Sequence, residues 1–151
     1  MLNGIPSILT GRVLAALDGM GHSDMVVIAD AHFPAARLGV EVVELPGVTT
    51  PQAVRALRAV LPLDTGPDPA PRLTLMASAD GRRQPVQREL AEALDLEPDA
   101  GAPDVLELDR AAFYTEAGAA QLILRTGELR AYGNALLRKG LAEPDESWRD
   151  R

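Results

Sequence analysis

Met25-Val26-Val27-Ile28-Ala29 is an unbroken apolar run that stops at Asp30. A strand that carries apolar side chains to both faces needs cover on both. That is the situation of strands inside parallel or mixed sheets, not of half-solvated antiparallel ones. The rest of the chain alternates in a way that supplies this cover. Thr10 is placed to cap a helix running to Gly19, with Val13, Leu14 and Leu17 as its apolar stripe. Glu41–Leu45 reads as a second strand, closed by Pro46-Gly47. Thr50 before Pro51 reads as a cap and a first-turn proline ahead of Val54, Leu57, Val60 and Leu61. Leu73–Ala77 follows as a strand, Pro85–Leu96 as a helix, Val105–Leu108 as a strand, Arg110–Ala117 as a helix and Gln121–Leu124 as a strand. Ala135-Leu136-Leu137 is a last apolar stretch before Lys139-Gly140, with no element type of its own. The expectation is an α/β fold, a single layered domain with a mostly buried sheet flanked by helices.

A length of 151 residues suits one domain. Pro62, Pro67, Pro69 and Pro71 stand among Asp64, Gly66 and Asp68, which makes an internal loop and not an interdomain linker. The domain is expected over residues 1–140, with 141–151 as a charged C-terminal tail carrying Trp148. No apolar run approaches the roughly 18 residues of a membrane-spanning helix. The absence of cysteine excludes disulfides, zinc-thiolate sites and thiol catalysis. A formal charge of -7 without a Lys/Arg cluster argues against nucleic acid and anionic membranes as partners. The first residues lack a basic stretch followed by an apolar one, so a cytoplasmic location is expected.

Imidazoles and rings are scarce: His22 and His32 are the two histidines, and four of the five aromatic residues are Phe33, Phe113, Tyr114 and Tyr132. His22 lies in Gly19-Met20-Gly21-His22-Ser23-Asp24, where glycines leave an imidazole uncrowded at an element terminus. Histidine gives and takes protons near neutrality, which suits it to acid–base work; a capping or core role is the ordinary alternative. Asp30 ends the buried strand, and ligand-binding groups in α/β sheets gather at the carboxyl ends of strands. An Asx turn is its bland alternative. Arg110 opens a helix after a strand, with Phe113 and Tyr114 beside it, and offers five fixed donors to an oxygen-rich ligand; a surface arginine over a core phenylalanine fits equally. Tyr132-Gly133-Asn134 places a phenol and a carboxamide within three residues, matching hydroxyls that both donate and accept, or else it is a β-turn. His22, Asp24, Asp30 and His32 lack a metal-binding spacing and a third nitrogen ligand, so no metal is expected. No glycine-rich nucleotide loop and no serine elbow is present.

Taken together, Met20-Gly21-His22-Ser23-Asp24, Asp30-Ala31-His32-Phe33-Pro34-Ala35, Arg110-Ala111-Ala112-Phe113-Tyr114, and Tyr132-Gly133-Asn134 followed by Lys139-Gly140 resemble the ribose pyranase and fucose mutarotase family. The opening Met1-Leu2-Asn3-Gly4-Ile5 is similar as well, and the likeness holds in register to about residue 140. The resemblance implies a cofactor-free isomerase that exchanges the α and β anomers of a free monosaccharide by acid/base ring opening. It implies His22 as the catalytic proton donor and Asp30, Arg110, Tyr132, Gly133 and Asn134 as substrate-binding residues. Arg110 stands where the fucose branch has arginine and the ribose branch histidine, so L-fucose is the favoured sugar. The family's ring-like homo-oligomers, decamers among them, imply sites near subunit interfaces. A ribose pyranase-type pyranose/furanose isomerase and a noncatalytic sugar-binding module are the alternatives. The proline-rich loop and the Pro98–Pro103 segment depart from the family pattern and are expected to reshape the pocket mouth.

Overall fold

The computed structural model describes residues 2–64 and 71–144. Ten regular elements follow in chain order: α1 (Gly11–Gly19), β1 (Met25–Ala29), β2 (Glu41–Leu45), α2 (Thr50–Arg58), β3 (Leu73–Met76), α3 (Pro85–Glu92), β4 (Val105–Leu108), α4 (Arg110–Gly118), β5 (Leu122–Thr126) and β6 (Ala135–Arg138). A short 3-10 turn, Ala35–Leu38, precedes β2. The strands form one six-stranded sheet in the order β2-β5-β1-β6-β3-β4. All neighbours are parallel except β6, which runs antiparallel to both β1 and β3.

The apolar run of β1 is buried along its whole length because its alternating side chains serve two cores. Val26 and Ile28 join Val13 and Leu17 of α1, Val54 and Leu57 of α2 and Leu90 of α3 on one face. Met25, Val27 and Ala29 join Phe33, Phe113, Ala117 and Ile123 on the other, where α4 packs. Helices therefore flank a mostly buried sheet. Phe33 meets the Phe113 ring edge-on at 6.2 Å and the Tyr114 ring at 5.5 Å, an arrangement that adds aromatic attraction to area burial.

Several sequence expectations shift by a residue or more, for local reasons. Thr10 is not among them: as expected, it caps α1, accepting from the Val13 N–H. Thr49, not Thr50, caps α2: its hydroxyl accepts from the Gln52 N–H while Gln52 Oε1 accepts from the Thr49 N–H, a reciprocal capping box. Thr50 becomes the first helical residue, and its buried hydroxyl has no hydrogen-bond partner among the described residues. α3 stops at Glu92, not Leu96, because the chain turns through Asp95 in the left-handed region, φ +55°. Leu94 and Leu96 stay buried after that turn. β5 runs on to Thr126, whose hydroxyl donates to the Ala29 carbonyl at 2.9 Å.

The stretch 135–137 is the central antiparallel strand β6, with Ala135 opposite Ile28 and Arg138 opposite Met25. Its reversed direction brings the amino end of β6 to the carboxyl ends of β1 and β3. At its other end Lys139 Nζ donates to the carbonyls of Leu17 and Met20 at the C-terminal end of α1. Residues 65–70 of the proline-rich loop and 145–151 of the tail, including Trp148, lie outside the described residues. Residues 141–144 are exposed and outside regular structure. Among the described residues no helix is long and apolar enough to cross a membrane.

Candidate active site

Asp30 follows the last residue of β1 and is only 4% exposed. Four hydrogen bonds join it to its surroundings, one of them from the Phe33 N–H to its backbone carbonyl at 3.2 Å. Its N–H donates to Asn134 Oδ1 at 2.9 Å, its Oδ1 accepts from the His32 N–H at 2.9 Å, and its Oδ2 accepts from Asn134 Nδ2 at 2.8 Å. The reciprocal Asp30–Asn134 pair follows from the sheet: Ile28 lies opposite Ala135, so residues just beyond that point on the two strands face each other. Burial pushes the Asp30 carboxyl above its ordinary value, and the bonds from His32 and Asn134 and the nearby His32 charge oppose that rise. A carboxylate has about four acceptor positions, and two are used here. Asp30 thus keeps accepting capacity toward the space in front of it.

That space is a pocket of about 210 Å³ lined by Asp30, His32, Phe33, Met76, Arg110, Tyr114, Ala131, Tyr132 and Asn134. Its floor is the carboxyl end of β1 and β3, and one wall is the first turn of α4. Asp109 caps α4 by accepting from the Ala112 N–H at 2.8 Å, which places Arg110 at the pocket rim. The Arg110 guanidinium lies over the Tyr114 ring, 5.4 Å from its centre, and its Nε donates to the Tyr114 hydroxyl at 3.2 Å. Tyr132 holds φ +62°, a left-handed conformation that costs a non-glycine residue about 1–2 kcal/mol. Its hydroxyl accepts from the Ala79 N–H at 3.2 Å and keeps its own proton available as a donor. A larger cleft of about 570 Å³ adjoins across Ala131 and Tyr132 and is lined further by Asp80, Gln84 and Arg130.

The loop carrying Tyr132 is held by a charged clamp behind it. Glu128, 4% exposed, accepts from Arg130 Nε and Nη2 at 2.9 Å, and Arg130 also forks onto Glu89 of α3 at 2.7 and 2.9 Å. The guanidinium keeps both carboxyls below their ordinary values, chiefly through these hydrogen bonds. Gly133 does not line the pocket. A Cβ there would stand 2.9 Å from Glu128 Cγ and 3.2 Å from both the Arg130 carbonyl and the Thr50 hydroxyl, so a glycine is what lets this loop close on the clamp.

The structure thus brings together Asp30, Arg110, Tyr132 and Asn134, with Gly133 behind them, and leaves His22 elsewhere. His22 belongs to the loop before β1, at the opposite end of the sheet. That loop closes on Asp24 Oδ2, which accepts from the Gly21 N–H at 2.8 Å, and passes through Ser23 at φ +68°. The His22 side chain is 51% exposed, and its Nε2 lies 3.6 Å from Asp64 Oδ1. The five residues of β1 separate it from Asp30, about 16 Å at a strand rise of about 3.3 Å per residue. His32, Met76 and Ala131 complete the lining, and of these the sequence points only to His32, as a scarce imidazole in the motif after Asp30 with no catalytic or sugar-binding role assigned to it. His32 carries a usable signal, two residues past a strand-terminal aspartate, but Met76 and Ala131 have none. No residue of 98–103 lines the pocket. Among the described residues no group of three or more His, Asp or Glu side chains is arranged to hold a metal ion.

A family model described as the RbsD / FucU transport protein family matches residues 3–142. Three solved structures are similar over nearly the whole chain. FucU from Bifidobacterium longum is 34% identical with a TM-score of 0.83, covering 93% of this chain and 100% of that one. The fucose mutarotase of Streptococcus pneumoniae, solved in complex with L-fucose, is 27% identical with a TM-score of 0.83 and coverages of 94% and 100%. RbsD of Bacillus subtilis, solved with D-ribose, shares the fold at 21% identity, with a TM-score of 0.74 and coverages of 95% and 100%.

Proposed function

The chain belongs to the RbsD / FucU transport protein family, and we propose that it is a monosaccharide mutarotase that exchanges the α and β anomers of L-fucose. One observation carries the reading: Asp30, Arg110, Tyr132 and Asn134, from three separate segments of the chain, line a single pocket at the carboxyl end of the sheet. The similarity to a fucose mutarotase solved with its sugar supports the choice of substrate. The motif resemblance, which places Arg110 where the fucose branch has arginine, supports it too.

The pocket chemistry suits a neutral polyol. Asp30 accepts from sugar hydroxyls, the second N–H of Asn134 donates to them, and Tyr132 donates its free proton. Phe33 and Met76 give an apolar floor for the faces of the ring. Anomer exchange removes the proton of the anomeric hydroxyl, breaks the bond from the anomeric carbon to the ring oxygen and protonates that oxygen. The aldehyde then recloses on its other face, with each proton returned. A positioned acid or base contributes about 10²- to 10⁴-fold to such a step.

His22 is the proton donor in this reading, supplied to the pocket by a second copy of the chain. A general acid acts only within about 3 Å of the atom it serves, and β1 keeps His22 far beyond that distance from the Asp30 of its own chain. Asp64 is the neighbour that orients the imidazole. Saturation-transfer NMR on L-fucose is the test: His22→Ala is expected to lose exchange by about 10²- to 10⁴-fold, and unchanged exchange removes His22 from the mechanism. Co-assembly of His22→Ala with Asp30→Asn chains is expected to restore part of the lost activity, because some sites then receive both native residues. No recovery contradicts a shared site. Binding without exchange would indicate a noncatalytic sugar-binding module, and selective pyranose/furanose exchange of D-ribose a pyranase-type isomerase.

A further inference from the structure

We propose that His32 is the second proton-transfer group of this pocket, acting on the sugar from the same chain that supplies Asp30. The inference rests on the mutarotase reading above and adds to it a role that the reading leaves open. Ring opening needs two proton-transfer groups, one at the anomeric hydroxyl and one at the ring oxygen, and His22 fills one of them.

The pocket holds few candidates for the other. Its titratable and charged groups are Asp30 from β1, His32 just after it, Arg110 and Tyr114 from α4, and Tyr132 from the loop before β6. Arginine does not release its proton in proteins, and a phenol ordinarily stays protonated at neutral pH. Tyr114 is also engaged by Arg110. Asp30 is fixed by bonds to the His32 N–H and to Asn134, an arrangement that favours holding a hydroxyl over moving a proton in and out. His32 is the one lining side chain whose type both takes and gives a proton near neutrality. Its backbone is anchored to Asp30 Oδ1, while the residue is exposed at the pocket wall.

The step balances without a co-reactant. The His32 imidazole takes the anomeric hydroxyl proton, and the electron pair left on that oxygen forms the carbonyl. The pair of the broken bond passes to the ring oxygen, which takes a proton from the acid opposite, His22 of a second copy. After rotation about the bond between the first two carbons the same transfers run backwards, and both imidazoles recover their starting protonation.

His32→Asn removes the titrating nitrogen, retains a polar side chain and leaves the backbone bond to Asp30 intact. Its anomer exchange on L-fucose, measured by saturation-transfer NMR from about pH 5 to 9, is expected to fall by about 10²- to 10⁴-fold. The fall should appear in kcat with little change in KM, and one limb of the pH profile should flatten. Added imidazole is expected to restore part of the activity of His32→Ala. Wild-type rates and an unchanged pH profile in His32→Asn overturn the assignment while leaving the mutarotase reading standing. Absence of exchange in the wild-type protein on every aldose tried overturns the mutarotase reading, and this role with it.

Discussion

Replacing Asp30 with Asn probes the pocket where fold and chemistry meet. In the native arrangement the backbone N–H of Asp30, its two carboxylate oxygens and both ends of the Asn134 carboxamide form one closed set of bonds at 2.8–2.9 Å. An Asn at this position can keep its oxygen on the His32 N–H, but its NH₂ then faces the NH₂ of Asn134. Flipping Asn134 only moves the conflict to the Asp30 N–H. One buried donor is left unsatisfied in either case, at a cost of about 1–3 kcal/mol. Loss of the charged acceptor for a sugar hydroxyl removes about 1.5–3 kcal/mol from the bound state, which is about 10- to 100-fold in kcat/KM.

The same substitution has a pH signature. Because burial raises the native pKa of Asp30 above the ordinary 3.8, the folded state holds this proton more tightly than the unfolded one. Stability contributed by the protonated form is full below the unfolded value and declines as pH rises through the native one. Asp30→Asn is expected to lose that decline. Urea unfolding from pH 3 to 7 together with saturation-transfer NMR on L-fucose reads both effects, with the unfolding slopes compared between wild type and variant. Wild-type exchange in Asp30→Asn would refute the reasoning about the pocket. An unaltered pH slope would refute the reasoning about burial.

Two further perturbations address the loop behind the pocket. Gly133→Ala introduces a Cβ that meets Glu128 Cγ at 2.9 Å, so a destabilisation of about 1–3 kcal/mol is expected, with a rise in KM as Tyr132 and Asn134 shift; thermal unfolding and exchange kinetics check the pair of effects. Arg130→Leu leaves the buried Glu128 carboxylate without its guanidinium and is expected to cost about 1–3 kcal/mol at neutral pH. Because Arg130 holds Glu128 below its ordinary value, that stabilisation is present above the unfolded glutamate pKa and lost as pH falls through the native one. Wild type and Arg130→Leu should therefore converge in urea unfolding at acid pH.

The individual elements of this protein are legible in its sequence, and their meeting points are less so. The run Met25–Ala29 announces a two-faced buried strand, and β1 serves two cores for that reason. Ala135–Leu137 looks like an apolar stretch without a type, because three residues between loops carry too little periodicity to choose a strand, still less its direction. Only the pairing of Ile28 with Ala135 shows why Asn134 reaches Asp30 across 104 positions of sequence. The cap of α2 moved by one residue because Thr49 and Thr50 are chemically equivalent candidates, and the Gln52 reciprocal bond selects the first. Gly133 belongs to a motif readable from sequence, yet its role is steric, set by Glu128, Arg130 and Thr50. His22 and Asp30 sit eight positions apart and read as neighbours, but an extended strand turns that short interval into the full depth of the sheet.

The central claim is that the pocket beside Asp30 opens and recloses an aldose ring. Saturation transfer between the α and β anomeric proton resonances of L-fucose, recorded with and without the wild-type protein, measures it directly. Transfer well above the spontaneous rate, reduced about 10- to 100-fold in Asp30→Asn, is the predicted result. Transfer equal to buffer alone for L-fucose, D-ribose and other aldoses would contradict it.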